Sequence, residues 1–192
     1  NLTAAANSGY RFGTWTDPYC SANGSGNACA VPMSEDRTVA ASFVQIWNLT
    51  IASPNHGTVV GDQFDQICGD CSFDYDATPA TTVVLTAFAD LDWTFDYWTG
   101  CPASGVSGDT CTVLMDADYS ITAHFNRQWL LTVSKNSQGT VTSNVGGISC
   151  SSAGTCTALV NDGVAVTLTA SPIANYRFNA WTGACAGSGA SC

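Results

Sequence analysis

One aromatic pattern occurs three times in this chain: Tyr10, Phe12, Trp15, Thr16; then Trp93, Phe95, Trp98, Thr99; then Tyr176, Phe178, Trp181, Thr182. The three tryptophans stand 83 residues apart in both intervals, and each is followed three to five residues later by a cysteine: Cys20, Cys101, Cys185. A fixed period of this length is the mark of a tandem array, in which each copy buries a small core of its own and leans on its neighbours. The period therefore decides the reading of everything else.

The flanks keep the same spacing. Leu2-Thr3-Ala4, Leu85-Thr86-Ala87 and Leu168-Thr169-Ala170 precede the aromatic stretches, and a second cysteine follows each: Cys29, Cys111, Cys192. Val31, Met33, Val39 and Phe43 are matched by Val113, Met115, Ile121 and Phe125; Leu49, Ile51, Gly57 and Val59 are matched by Leu131, Val133, Gly139 and Val141. Residues 1–45 are thus the C-terminal half of a repeat, 46–128 a complete repeat of about 83 residues, and 129–192 a repeat without its last strands. Because the pattern is entered and left mid-repeat, the expected context is a longer secreted chain.

The segments between turns are short, rich in Thr and Val, and alternate apolar with polar residues, as half-buried strands do. Ile121, Ala123 and Phe125 share one face, so His124 is expected to point outward. The same rule puts Trp93, Phe95 and Tyr97 on one face of their strand and Trp98 on the other. Pro54, Asn55, His56 and Gly57 read as a hairpin turn, and Asp90 to Asp92 and Asp116 to Asp118 read as turns. The predicted fold is all-β with almost no helix: a tandem array of small, disulfide-stapled β units.

A unit this small is marginal without a staple. All ten cysteines fall in close pairs: Cys20 with Cys29, Cys68 with Cys71, Cys101 with Cys111, Cys150 with Cys156, Cys185 with Cys192. Local disulfides in an oxidising compartment are the simplest reading, and closing a loop of roughly ten residues stabilises by about 2–3 kcal/mol. The competing readings of the Cys68-x-x-Cys71 motif are zinc and thiol redox chemistry. Zinc needs a second such pair, whereas Cys150 and Cys156 are more widely spaced; a redox motif needs a following helix, and none is readable.

The net charge of −10 with only five Lys and Arg leaves no basic face for nucleic acid or for anionic membranes. No apolar run reaches the length of a membrane helix. The acids concentrate in the middle copy, at Asp62, Asp65, Asp70, Asp74, Asp76, Asp90, Asp92, Asp96, Asp109, Asp116 and Asp118.

The order Gly-Thr-Val, cysteine pair, Val-x-Leu-Thr-Ala, Tyr/Trp-x-Phe-x-x-Trp-x-Gly, cysteine pair, Val-x-Met-x-x-Asp-x-Ser/Thr-x-x-Ala-x-Phe resembles the divergent InlB B-repeat family of bacterial repeat domains. It is carried here by Gly139 to Val141, Cys150 and Cys156, Val166 to Ala170, Tyr176 to Gly183, Cys185 and Cys192, with the closing motif at Val113 to Phe125. The resemblance implies a secreted, surface-associated array used as a spacer or adhesive stalk, with no catalytic residues to carry over. Asp17 departs from the pattern, standing where a glycine follows Trp-Thr in the other copies, and Cys68 and Cys71 are closer than usual.

No active site is read. The only histidines, His56 and His124, match Gln138 and Ser42 in neighbouring copies, and hydrolysis needs a base that is held in place. No cofactor is predicted. Calcium is the ligand the acids would suit, at Asp90, Asp92 and Asp96 or at Asp116 and Asp118, but those residues do not recur. Isopeptide cross-links need a lysine per domain, and Lys135 is alone. Asn1-Leu-Thr and Asn48-Leu-Thr are sequons, read as strand residues. Trp15, Trp98 and Trp181 recur as core residues would, while Trp47 and Trp129 suit packing between units.

The expected function is a non-catalytic structural segment of an extracellular, cell-surface protein: stalk, adhesin shaft or fibre. Its expected partners are neighbouring repeats of the same chain, with self-association into fibres or glycan contacts. The alternative is a carbohydrate-binding module of a secreted enzyme, with exposed aromatics as its platform.

Overall fold

The computed structural model describes residues 1–52 and 55–192, with the side chains of residues 65–67 left out of account. Pro54 of the expected hairpin turn lies outside the described residues. The chain divides into two compact units, 1–89 with 95–125, and 90–94 with 126–192.

In unit one the first copy contributes β1 (Leu2–Thr3), β2 (Tyr10–Trp15), a helix α1 (Pro18–Asn23) and β3 (Ala28–Cys29). The helix departs from the loop expected between the cysteines, and its cause is local. Asp17 is an N-cap whose side chain accepts from the Cys20 amide at 2.8 Å, and Pro18 fits the first helical turn. Strand β4 (Ala41–Ile51) follows, then β5 (Gly57–Gly61), β6 (Phe64–Cys68), β7 (Cys71–Asp76), β8 (Thr82–Ala89), β9 (Trp93–Thr99), β10 (Val106–Ser107), β11 (Thr110–Leu114) and β12 (Tyr119–Lys135).

One sheet has the order β10-β11-β8-β5-β6. In the other, β4 pairs antiparallel with β2 through Trp15↔Ala41 and Tyr10↔Gln45, antiparallel with β7 through Leu49↔Phe73, and parallel with the start of β12 through Tyr119↔Leu49 and Ile121↔Ile51. Both sheets turn their apolar residues onto one core of Leu49, Ile51, Val59, Val83, Leu85, Val113, Met115 and Ile121, all fully buried. Alternation explains the membership: in β8, Val83, Leu85 and Ala87 are buried while their neighbours are not. The half-repeat has a smaller core of Ala4, Trp15, Cys20 and Cys29.

The repeat boundary near residue 45 is not a break in the backbone structure. β4 runs straight through Phe43-Val44-Gln45-Ile46-Trp47, closing the first copy and opening the second. These five residues include strand formers and neither Gly nor Pro, so nothing ends the strand.

Unit two holds the later residues of β12, then β13 (Gly139–Ser143), β14 (Ser149–Cys150), β15 (Gly154–Asn161) and β16 (Leu168–Pro172). Its pairings repeat those of unit one. Val133↔Cys156 stands where Ile51↔Cys71 stands, and Val141↔Ala170 where Val59↔Ala87 stands. The core is Val133, Val141, Ile148, Cys150 and Leu168. The third aromatic stretch, unlike the first two, is not a strand over residues 177–182.

Candidate functional site

The recurring feature is an aromatic clamp. Phe12 and Trp15 have ring centroids 5.5 Å apart at 59°, Phe95 and Trp98 5.4 Å at 49°, and Phe178 and Trp181 5.5 Å at 51°. Strict alternation would put each Phe and Trp on opposite faces, and the structure corrects that expectation. In the first copy the register slips between Phe12 and Thr14, at Gly13, which re-aims Trp15 into the core. A side chain at Gly13 would crowd Ser42 and Val44. A third ring closes the clamp edge-on in two copies: Phe43 on Phe12 at 6.3 Å and 84°, Phe125 on Phe95 at 6.0 Å and 83°. Trp15 and Trp98 are buried, so these rings fill cores and offer no flat platform to a sugar.

The stretch before each clamp is also common to the copies. Gly9, Asp92 and Asn175 all take positive φ, at 79°, 65° and 67°. The next residue's amide bonds back in each case: Tyr10 to Asn7 O, Trp93 to Asp90 O, Tyr176 to Ile173 O, each at 3.1 Å. Gly, Asp and Asn are the residues that tolerate this conformation, so Asp92 has a turn's reason for being there.

Other acids cap backbone or hold side chains. Asp118 accepts from the Asn48 amide at 2.8 Å, Asp62 from the Val84 amide at 2.8 Å, Asp116 from the Tyr119 hydroxyl at 2.8 Å, and Asp162 from the Trp129 indole at 2.7 Å. Asp90, Asp92 and Asp96 are exposed, and among the described residues no group of three or more His, Cys, Asp or Glu is placed to hold a metal ion. The Cys20 amide holds the Asp17 carboxyl below the usual carboxylate range. Arg11 pairs with Asp76 through two hydrogen bonds, which lowers the Asp76 carboxyl and raises the guanidinium. Burial pushes the Tyr75 hydroxyl up.

His124 lies on the face away from the core, stacked on Tyr97 at 4.4 Å and 3.0 Å from the Thr99 hydroxyl. His56 sits in a turn with φ 67°. Arg127 covers the Trp129 ring at 3.9 Å. Lys135 donates to the carbonyls of Asn136 and Ser151. The Asn48 side-chain amide donates to Ser72 and Asp74.

The ten cysteines form five disulfides, Cys20–Cys29, Cys68–Cys71, Cys101–Cys111, Cys150–Cys156 and Cys185–Cys192, with Cα separations of 5.6, 5.5, 6.1, 6.0 and 5.7 Å, all inside the usual range. Cys68–Cys71 ties β6 of one sheet to β7 of the other. The first and third bonds close the loop after a clamp. In the first copy Trp15 also donates its indole N–H across that loop to Gly26 O at 3.2 Å.

The family model of the divergent InlB B-repeat domain matches residues 1–46, 47–128 and 129–192. The chain belongs to the divergent InlB B-repeat family. These B-repeats are a repeat domain of bacterial surface proteins, generally without enzymatic activity, and the family fits a structural repeat role. Comparison with curated proteins and with solved structures returned no match. Among the described residues, no helix is long and apolar enough to cross a membrane.

Proposed function

We propose that these B-repeats form a spacer in a secreted bacterial surface protein, as a stalk, adhesin shaft or extracellular fibre. The observation that carries the reading is the shared strand. β4 closes one copy with β2 and opens the next with β7 without interruption, so tension on the array is borne by a ladder of backbone hydrogen bonds and not by a loose linker. The disulfides add length locks. Cys101 and Cys111 are 10 residues apart in sequence with their Cα atoms 6.1 Å apart, and that loop withholds roughly 30 Å of contour while the bond is closed. Neighbouring repeats of the same chain are the first partners on this reading, and the setting is extracellular.

Single-molecule stretching of the chain tests it. Unfolding is expected in discrete force peaks, with contour increments that lengthen on reduction by the length hidden in the loops. A featureless extension at low force in the oxidised protein refutes the load-bearing role.

The alternative is a carbohydrate-binding module. Exposed Tyr97, Trp129 and Tyr176 favour it, although His124 and Arg127 already stack on the first two. A glycan array with no bound sugar retires it.

A further inference from the structure

Strand β15 ends its sheet, on the flank of β12 where no closing strand belongs. Unit one shows which flank that is. The Asn48 and Ala52 amides turn to the closing strand, at Asp118 and Ile121, whereas the Gln45 carbonyl turns to β7, accepting from Ala77. Successive residues of a strand alternate flanks, so the closing strand and β7 lie on opposite sides of β4. β15 stands to β12 as β7 stands to β4, with Val133↔Cys156 in the place of Ile51↔Cys71.

The outer edge of β15 carries free backbone groups. The Asp162 amide donates to the Arg127 carbonyl at 2.7 Å, so the even residues of β15 bond to β12, and the amides of Thr155, Thr157, Leu159 and Asn161 face out of the sheet. From Gly154 to Asn161 the strand has no charged residue and no proline, the usual means of blunting an edge. Its counterpart in the middle copy is blunted. The matching registers put Asp74 where Leu159 stands and Asp76 where Asn161 stands.

The side chains suit a two-fold. Leu130 and Leu159 form a cross-strand pair, 64% and 51% exposed, on the face opposite to the core residue Val133. Polar pairs flank them: the Gln128 side chain donates to Asn161 at 3.0 Å, and Thr132 stands against Thr157. Pairing β15 antiparallel with its own copy, Leu159 against Leu159, sets each Thr157 opposite the second copy's Asn161. The result is one row of four leucines between two polar rows. The same register applied to β7 would set Asp74 against Asp74, which like charge opposes.

We propose that the outer edge of β15 is a self-association surface whose partner is a second copy of this chain, paired antiparallel about Leu159. Main-chain bonds supply affinity, and the leucine row fixes the register. A two-fold contact of this kind is satisfied by two chains and adds no third. The proposal goes beyond the spacer reading and stands whether or not the array bears load.

The test is sedimentation velocity of the 192-residue protein over a concentration series. A reversible monomer–dimer equilibrium is expected. Leu159→Asp, which gives β15 the residue that β7 has, is expected to weaken it at least tenfold. Thr157→Pro removes an outward amide and none of the bonds to β12, a place where an edge strand accepts proline, and is expected to weaken it by a similar factor. Both residues are exposed, and far-UV circular dichroism is expected to be unchanged in each variant. Hydrogen exchange of the unaltered protein locates the contact. With rising concentration the Thr157, Leu159 and Asn161 amides are expected to exchange more slowly, while those of Leu130 and Thr132, on the other flank of β12, stay as they are. A protein that remains monomeric up to about 1 mM, a dimer unaffected by Leu159→Asp, or protection that appears at Leu130 and Thr132 instead overturns the proposal.

Discussion

Met33 and Met115 hold the same place in two copies of the closing segment, yet Met33 is 72% exposed and Met115 is 0% exposed. The cause is which half of the repeat surrounds them. Met115 packs in the core that includes Leu49, Ile51 and Val59, which belong to the opening half, and the first copy has no such half within these residues. Truncating a buried methionine to alanine costs about 2–5 kcal/mol, because the surroundings relax only partly into the space left behind. Truncating an exposed one costs within about 0.5 kcal/mol. With a urea slope of about 2 kcal/mol/M, Met115→Ala is expected to lower the midpoint of the unit-one transition by about 1–2.5 M, and Met33→Ala by no more than about 0.25 M. The assay is equilibrium urea unfolding followed by tryptophan fluorescence, since Trp98 lies in the same core as Met115. Shifts of similar size in the two variants refute the assignment of the closing segment to the opening half's core.

Gly100 has φ 76°, and a methyl there would strike the Ser120 carbonyl, whereas Gly108 at φ 59° has nothing nearby. Gly108→Ala is expected to cost about 1–2 kcal/mol from backbone conformation alone and Gly100→Ala clearly more, measured as thermal midpoints. Replacing Cys101 and Cys111 together by serine removes a loop constraint of 10 residues, and replacing Cys68 and Cys71 removes one of 3. The chain-entropy difference predicts losses of about 2.7 and about 1.6 kcal/mol, readable by denaturant titration. Asp17 and Asp76 titrate lower in the fold than in the unfolded chain, so their contribution is complete above about pH 4 and is lost as pH falls through the folded values. The thermal midpoint is therefore expected to fall on acidification below that point, and Asp17→Asn, which still caps but does not titrate, is expected to flatten that acid limb.

The all-β class and most of the strand positions were legible because two independent patterns agreed, the 83-residue period and the two-residue alternation. The places where local reasoning failed each have a named competitor. Alternation could not bring Phe12 and Trp15 together, because it assumes an unbroken register and Gly13 interrupts it. The helix after Trp15 was hidden by its length, although Asp17-Pro18 is a helix-start signal that could have found it. The repeat boundary near residue 45 is not among those places: it marks where the sequence pattern restarts, and the family matches divide there too. A strand obeys only its own residues and partners, and nothing from Phe43 to Trp47 terminates one. The expected aromatic strand at Tyr176 to Thr182 does not form for the converse reason: its counterpart β9 pairs with β12, and no closing strand is present among these residues to pair with it.

The acids of the middle copy are the most conspicuous imbalance in the sequence, and the structure gives several of them local occupations. Asp92 is the left-handed turn residue that Gly9 and Asn175 supply elsewhere; Asp62 and Asp118 cap amides of the neighbouring strands; Asp76 pairs with Arg11. Asp118 reaches the Asn48 amide because Tyr119 to Ile121 lie parallel to Leu49 to Ile51, which brings the preceding acid level with that amide. Several of the charges that first draw notice therefore serve turns, amide caps and an ion pair of the fold itself.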